Sequence, residues 1–167
     1  MTIVRIGRVD AAHLGLTELD PLCCELLRRI PSHVDTRDAA VRFRLFPSPS
    51  DGREPEFDVE WESYVEPSLR QLFQTSLETI REDLQMLQPP EMPGGEDGIL
   101  RIPLAHLEAW IHGLNQARIA LAARHGFAET EAERLELESA DPRAIALFHI
   151  EFYAMLMEWF LRELEGE

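Results

Sequence analysis

Between residues 144 and 161 the chain keeps almost no side for water. Ile145, Leu147, Phe148, Ile150, Phe152, Tyr153, Met155, Leu156, Met157, Trp159, Phe160 and Leu161 cover nearly the whole circumference of a helix. Only Glu151, Glu158 and Arg162 mark a polar strip. A helix that is apolar all round is buried on all sides. Two arrangements satisfy it: the segment is the central helix of a small helical protein, or one face is shared with a second copy or another protein. Asp141-Pro142 predicts its start, with Asp as N-cap and Pro at the first helical position, and it runs to about Leu164. Met, Trp, Phe and Tyr are enriched at interface cores, so Phe148, Phe152, Met155, Trp159 and Phe160 are the candidate contact residues. His149, Glu151 and Glu158 make the stretch too polar to read as a membrane span.

The remaining apolar content supports one core. At 167 residues with 45% hydrophobic content, a chain of this size buries roughly 68–70% of its unfolded surface, and one domain over 1–167 is expected. All 16 cationic residues are arginine, set against 31 carboxylates, for a net charge of −15. Such a surface repels nucleic acid and anionic membrane, and its complement is a basic partner. Cys23 and Cys24 are adjacent, and neighbours on a helix cannot form a normal bridge. They read as two buried thiols in a reducing cytoplasm. The first ten residues lack the apolar run of a signal peptide. The expected location is cytoplasmic, with no membrane partner.

Along the chain, residues 3–6 (IVRI) predict a short strand. Asp10 then caps a helix through Leu14, Leu16 and Leu19. Asp20-Pro21 starts another, with Leu22, Leu26 and Ile30 as its stripe and Pro31 as its stop. Residues 36–46 admit two readings. Val41, Phe43 and Leu45 alternate with Arg42 and Arg44 as in a strand, and a short helix over 38–45 competes. Phe57, Val59 and Trp61 alternate with Asp58 and Glu60. A hairpin would set the arginines opposite these acids, worth about 0.2–1 kcal/mol per pair, with the loop 47–56 (PSPSDGREPE) as its turn. Leu69, Phe73, Leu77, Ile80, Leu84 and Leu87 step by 4, 4, 3, 4 and 3, which is one helical face. That helix ends before Pro89-Pro90, and 88–98 is a connector. Residues 99–102 (ILRI) predict a strand, and a helix follows over 104–124 with Gly126 as its stop. The five glutamates within 129–138 predict a solvated segment. Both short strands precede an Ala-His-Leu triplet, so they are candidates to pair side by side.

Polar residues on the 104–124 helix carry what chemistry there is. Asn115 is the only asparagine in the chain. Arg118 falls between Leu114 and Leu121, one turn from Asn115. A charge at that step must find a carboxylate or leave the core. One reading is a buried brace to a carboxylate, with Glu78, Glu82, Asp83 and Glu151 as candidates; breaking such a pair costs around 3–5 kcal/mol. The other is an anion or carboxylate site, since a guanidinium grips carboxylate as a fork. The histidines read as surface or core-edge residues. Glu108 and His112 share a face but lack further metal ligands, and the Glu-x-x-His of a di-iron bundle is absent. There is no Gly-x-Ser-x-Gly, no P-loop and no dinucleotide fingerprint, and Gly94-Gly95 sits among carboxylates that would repel a phosphate. No metal and no cofactor are expected.

Residues 109–127, AWIHGLNQARIALAARHGF, resemble the signature of a family of small, acidic, helical bacterial proteins, a domain-of-unknown-function family. Its pattern is roughly Trp-Leu-x-x-Leu-Asn-x-x-Arg-Leu-x-Leu-x-x-x-x-Gly. Here Trp110, Ile111, Leu114, Asn115, Arg118, Ile119, Leu121 and Gly126 carry it. Weaker similarity covers Asp20 to Ile30, Arg44 to Pro47 and the aromatic last helix. Gln116 stands where an acidic residue is expected, and 47–56 looks like an insertion. The resemblance implies a cytoplasmic helical protein, points to Asn115 and Arg118, and favours a helix over 38–46. It supplies no activity.

The expected fold is mainly α, with four principal helices in a bundle-like packing and a small two-stranded β element. The expected role is that of a non-catalytic interaction or regulatory protein, a homodimer through the last helix. The alternative is a small anionic-ligand-binding protein or enzyme using Arg118 and Asn115.

Overall fold

The computed structural model describes residues 4–91, 97–127 and 141–166. Among them the order is β1 (Arg5–Arg8), β2 (His13–Leu19), α1 (Pro21–His33), α2 (Ala39–Leu45), α3 (Pro55–Tyr64), α4 (Glu66–Leu84), β3 (Gly98–Pro103), a 3-10 turn (Leu104–His106), α5 (Leu107–His125) and α6 (Pro142–Glu165). The chain is mainly helical, with six α-helices rather than four. Its sheet has three antiparallel strands rather than two, in the order β1-β2-β3. The glutamates of 129–138 and Gly94-Gly95 lie outside the described residues.

The third strand is the segment expected to be a helix after Asp10. Leu14 and Leu16 alternate, with Gly15 between them, and both leucines are buried. Alternation is a strand's period. Leu19 would face the opposite side in a regular strand. The register shifts between Leu16 and Leu19, and Glu18 takes a left-handed φ of 59°. That irregularity turns Leu19 back into the core, and it is what makes the leucine spacing resemble a helix. The two strands expected to pair with each other instead flank β2: Ile6 lies opposite Leu16 on one side, and Leu100 on the other.

Cap chemistry places three helices as the sequence indicates. Asp20 accepts from Cys23 N at 2.7 Å, Asp38 from Ala40 N at 2.9 Å, and Asp141 from Arg143 N at 2.8 Å. In α1, Pro31 does not stop the helix but sits in its last turn. The buried face is Cys23, Cys24, Leu26, Leu27 and Ile30, while Leu22 is exposed. Of the two readings of 36–46 the helix is correct, so there is no hairpin. Residues 57–61 are helical too. Pro55 sits at the helix start with Glu56 and Asp58 in the first turn, an arrangement the helix dipole favours. The apparent alternation there is an i,i+4 pair, Phe57 with Trp61, rings 6.4 Å apart.

The central element is α5, not α6. It packs against α1, α2, α4 and α6. Gly113, Ala117 and Ala120 are buried along it, and small residues let neighbours approach closely. A Cβ on Gly113 would lie 2.2 Å from Ile80 Cδ1 of α4. The helix ends at Gly126, whose φ of 68° is left-handed. Trp110 is fully buried and meets Phe160 edge-on at 6.1 Å. Thus α6 is a flanking helix, with one side in the core and one side out.

Candidate functional site

The candidate contact residues of α6 divide across that boundary. Phe160 and Phe152 belong to the core. Phe160 is completely covered and packs on Trp110, so it cannot face a partner. Phe148 (45% exposed), Met155 and Trp159 (45%) point outward. The sequence reading missed Ile145, which is also exposed. Ile145, Phe148, Phe152, Met155 and Trp159 step by 3, 4, 3 and 4. This is the spacing of a helix that pairs with another helix, and it is present in the sequence but hidden by apolar residues on every other side. At 1.5 Å per residue the row is about 21 Å long. At its C-terminal end, Trp159 opens onto a groove of about 380 Å³ that reaches Ile6 and Leu14 of the sheet. Arg162 lies 5.5 Å over the Trp159 ring and donates to Glu158. Arg8 and Glu163 form an ion pair at the same end.

By length and mean hydropathy, 1.4 over 18 residues, α6 also satisfies the requirements of a membrane span. A flanking helix of a packed protein passes the same test, so hydropathy alone does not locate the protein.

Asn115 and Arg118 do not converge. Asn115 is exposed, and no group among the described residues bonds its side chain. Arg118 is half-buried and directs Nη1 to Met157 Sδ of α6 at 3.7 Å, while its Nε is buried without a partner. Among the described residues no carboxylate pairs with it, and none of Glu78, Glu82, Asp83 or Glu151 reaches it. The interhelical brace is therefore absent among these residues, and the guanidinium lies on the α5–α6 seam.

The buried carboxylate serves another purpose. Asp83, at the end of α4, accepts from Trp110 Nε1 at 2.8 Å, and His106 Nδ1 lies 3.0 Å from both its oxygens. His106 and Trp110 stand one turn apart, so both reach a single carboxylate and fix the start of α5 to α4. The signal is an imidazole and an indole N–H at i,i+4. Their acceptor lies 23 and 27 residues away, which no local pattern identifies. Cys23 and Cys24 are free and buried, and burial pushes the Cys23 thiol up to about 12. Neither is a nucleophile at neutral pH. Among the described residues no group of three His, Cys, Asp or Glu side chains is placed to hold a metal.

A second polar cluster lies where α1 meets α6. His33 stands edge-on to His149 at 5.0 Å and near Tyr153 at 6.0 Å. Tyr153 donates to the Leu26 carbonyl at 2.8 Å, and His149 Nδ1 donates to the Ile145 carbonyl at 2.8 Å. Burial, then His149, Arg124 and Arg29, lower the His33 pKa to about 4. His33 is therefore neutral at physiological pH.

The profile of one family, described as "Domain of unknown function (DUF2017)", matches residues 9–164. No curated protein and no solved structure matches significantly.

Proposed function

The chain belongs to the DUF2017 family, a domain of unknown function, and from that premise we propose that it is a non-catalytic, cytoplasmic interaction protein that pairs with a second copy of itself through α6. One observation carries the reading: the exposed row Ile145, Phe148, Met155 and Trp159 along one flank of a helix whose other flank is in the core. An exposed apolar row along one helix flank is a feature that interfaces show.

The row also suits a copy of itself. Phe152, part of the core, lies beneath its middle. A two-fold axis there sets Ile145 against Trp159 and Phe148 against Met155, with bulky residues answering smaller ones. An isologous interface needs this self-complementarity. The 3-4 spacing supports side-by-side helix packing. Repulsion between two chains of −15 opposes association, so the dimer should tighten as salt rises.

The test is mass by light scattering at tens of micromolar and moderate salt. The wild type should give twice 19.2 kDa. The double variant Phe148→Glu, Trp159→Glu should give the monomer mass with its helical content intact. A monomeric wild type under these conditions defeats the proposal, and so does a dimer that survives the double substitution.

A further inference from the structure

None of the 10 residues of α3 is buried, and the helix packs mainly on α4. Isolated helices of this length are marginal in water, so other bonds keep it formed. Ser50 donates to Asp58 through its N at 3.1 Å and its Oγ at 2.7 Å, and Glu54 N donates to Ser50 Oγ at 2.9 Å. The helix held by this clamp presents apolar groups to water: Phe57, Val59 (61% exposed) and Tyr64 (81%). We propose that the outer face of α3 docks a cationic segment of another protein, one that carries apolar residues among its arginines or lysines.

The charge of the face sets the charge of the partner. On α1, α4 and α6 surface carboxylates are matched at i,i+4: Glu25 with Arg29, Glu66 with Arg70, Glu158 with Arg162. On α3 the same spacing joins Glu56 to Glu60 and Asp58 to Glu62, and like charges so placed weaken a helix. The helix dipole favours Glu56 in the first turn, but its effect does not extend to Glu60. Among the described residues neither Glu56 nor Glu60 has a side-chain partner. A cation lying between them converts that repulsion into attraction.

Glu54, Pro55, Glu56, Phe57 and Glu60 surround an open depression of about 620 Å³. Among the described residues no cation lines it. Arg42 and Arg70 line a separate groove, between α2 and the Trp61 side of α3. A guanidinium entering the depression meets three carboxylates and the Phe57 ring, which adds a cation–π attraction. At about 100° per residue, Glu56 and Glu60 lie between Val59 and Tyr64 around the helix. A small polyamine would match the carboxylates but leave Val59 and Tyr64 uncovered. Nucleic acid and anionic membrane would be repelled. A basic amphipathic segment covers both parts of the face.

The experiment titrates a synthetic amphipathic peptide, with arginines on one helical face and leucines on the other, into the full-length, nitrogen-15-labelled protein. Saturable amide shifts are expected at Glu56, Phe57, Val59, Glu60 and Tyr64. The affinity should fall as salt rises, the opposite of the dimer through α6. A peptide of the same charge with serines in place of its leucines should bind about tenfold more weakly. The double variant Glu56→Gln, Glu60→Gln relieves repulsion within an exposed helix, so it should keep the helical content while losing about tenfold in affinity. Tyr64→Ser should narrow the difference between the two peptides. No saturable shift, shifts confined to the α6 flank, equal affinity for the two peptides, or an affinity unchanged by the double variant would each overturn the proposal.

Discussion

Two helices of this protein reverse what their sequences suggest. The α5 sequence carries Glu108, His112, Asn115, Gln116, Arg118 and Arg124, yet it is the helix that four others pack around. The α6 sequence is apolar on nearly every side, yet Ile145, Phe148, Met155 and Trp159 stand in solvent. The difference is one of size rather than polarity. Gly113, Ala117 and Ala120 give α5 a thin waist, so neighbours approach it from several sides. Of the polar residues of α5, Glu108, His112 and Asn115 are exposed, Arg118 is half-buried and Gln116 is buried. The bulky α6 keeps one flank out of the core. An apolar helix can keep one side out of the core; a mixed helix with small residues can have its packing partners on several sides in the same chain.

That contrast is broken most directly at equivalent aromatic residues. Trp110 of α5 is fully buried, bonded to Asp83 and packed on Phe160. Trp110→Ala should cost about 3–5 kcal/mol in urea denaturation. Phe148→Ala on the α6 flank should change monomer stability by less than about 0.5 kcal/mol. Comparable losses at the two sites would mean that α6 is enclosed after all. The next effect down is Asp83→Asn. The substitution keeps the shape but weakens a charged acceptor that serves both Trp110 and His106. Its expected cost is about 1–3 kcal/mol, read in the same denaturation experiment.

These residues also show where the sequence is informative. Helix starts are legible because capping is local: Asp20-Pro21, Asp38 and Asp141-Pro142 each sit within three residues of the groups they satisfy. The α4 stripe is legible because it repeats over five turns. Short elements are not. Leu14, Leu16 and Leu19 fit a helix until the irregularity at Glu18 is known. Phe57, Val59 and Trp61 fit a strand until Pro55 is recognised as a helix start. Of the candidate contact residues, Phe148, Met155 and Trp159 are exposed, whereas Phe152 and Phe160 belong to the core. Phe160 is misassigned because circumference alone does not say which side the core is on. The Asp83 clasp depends on partners on another helix, and no local pattern reports it.

The α1–α6 seam gives a smaller effect that depends on pH. In the unfolded chain His33 takes up a proton near its ordinary pKa of about 6.5; in the folded protein it does so only near 4. Between those values the unfolded state binds the extra proton. Stability from this group is therefore complete above about pH 6.5 and is lost as the pH falls toward 4. Discounted for the partly exposed ring, the loss between pH 7 and pH 5 is on the order of 1 kcal/mol. The measurement is the slope of unfolding free energy over that interval, compared between wild type and His33→Gln. A wild-type slope no steeper than that of the variant would show that His33 carries its proton in the folded state.

The smallest expected effect distinguishes the two helices at the point where they touch. Arg118 extends from α5 across the seam to Met157 of α6, with its Nε buried and unmatched. Were it a brace, removing the charge would strand a carboxylate and cost about 3–5 kcal/mol. Here no carboxylate among the described residues is left behind, and the guanidinium gives up only a weak bond to a sulfur acceptor at 3.7 Å. Arg118→Met keeps the length of the stem and replaces an unmatched buried nitrogen with apolar atoms. The melting temperature should stay within about a degree or rise, since substituting apolar atoms for an unsatisfied polar group is neutral to favourable. A fall of several degrees would show that the guanidinium has a charge partner after all. It would also change the account of α5, which would then hold its neighbours by charge as well as by its narrow waist.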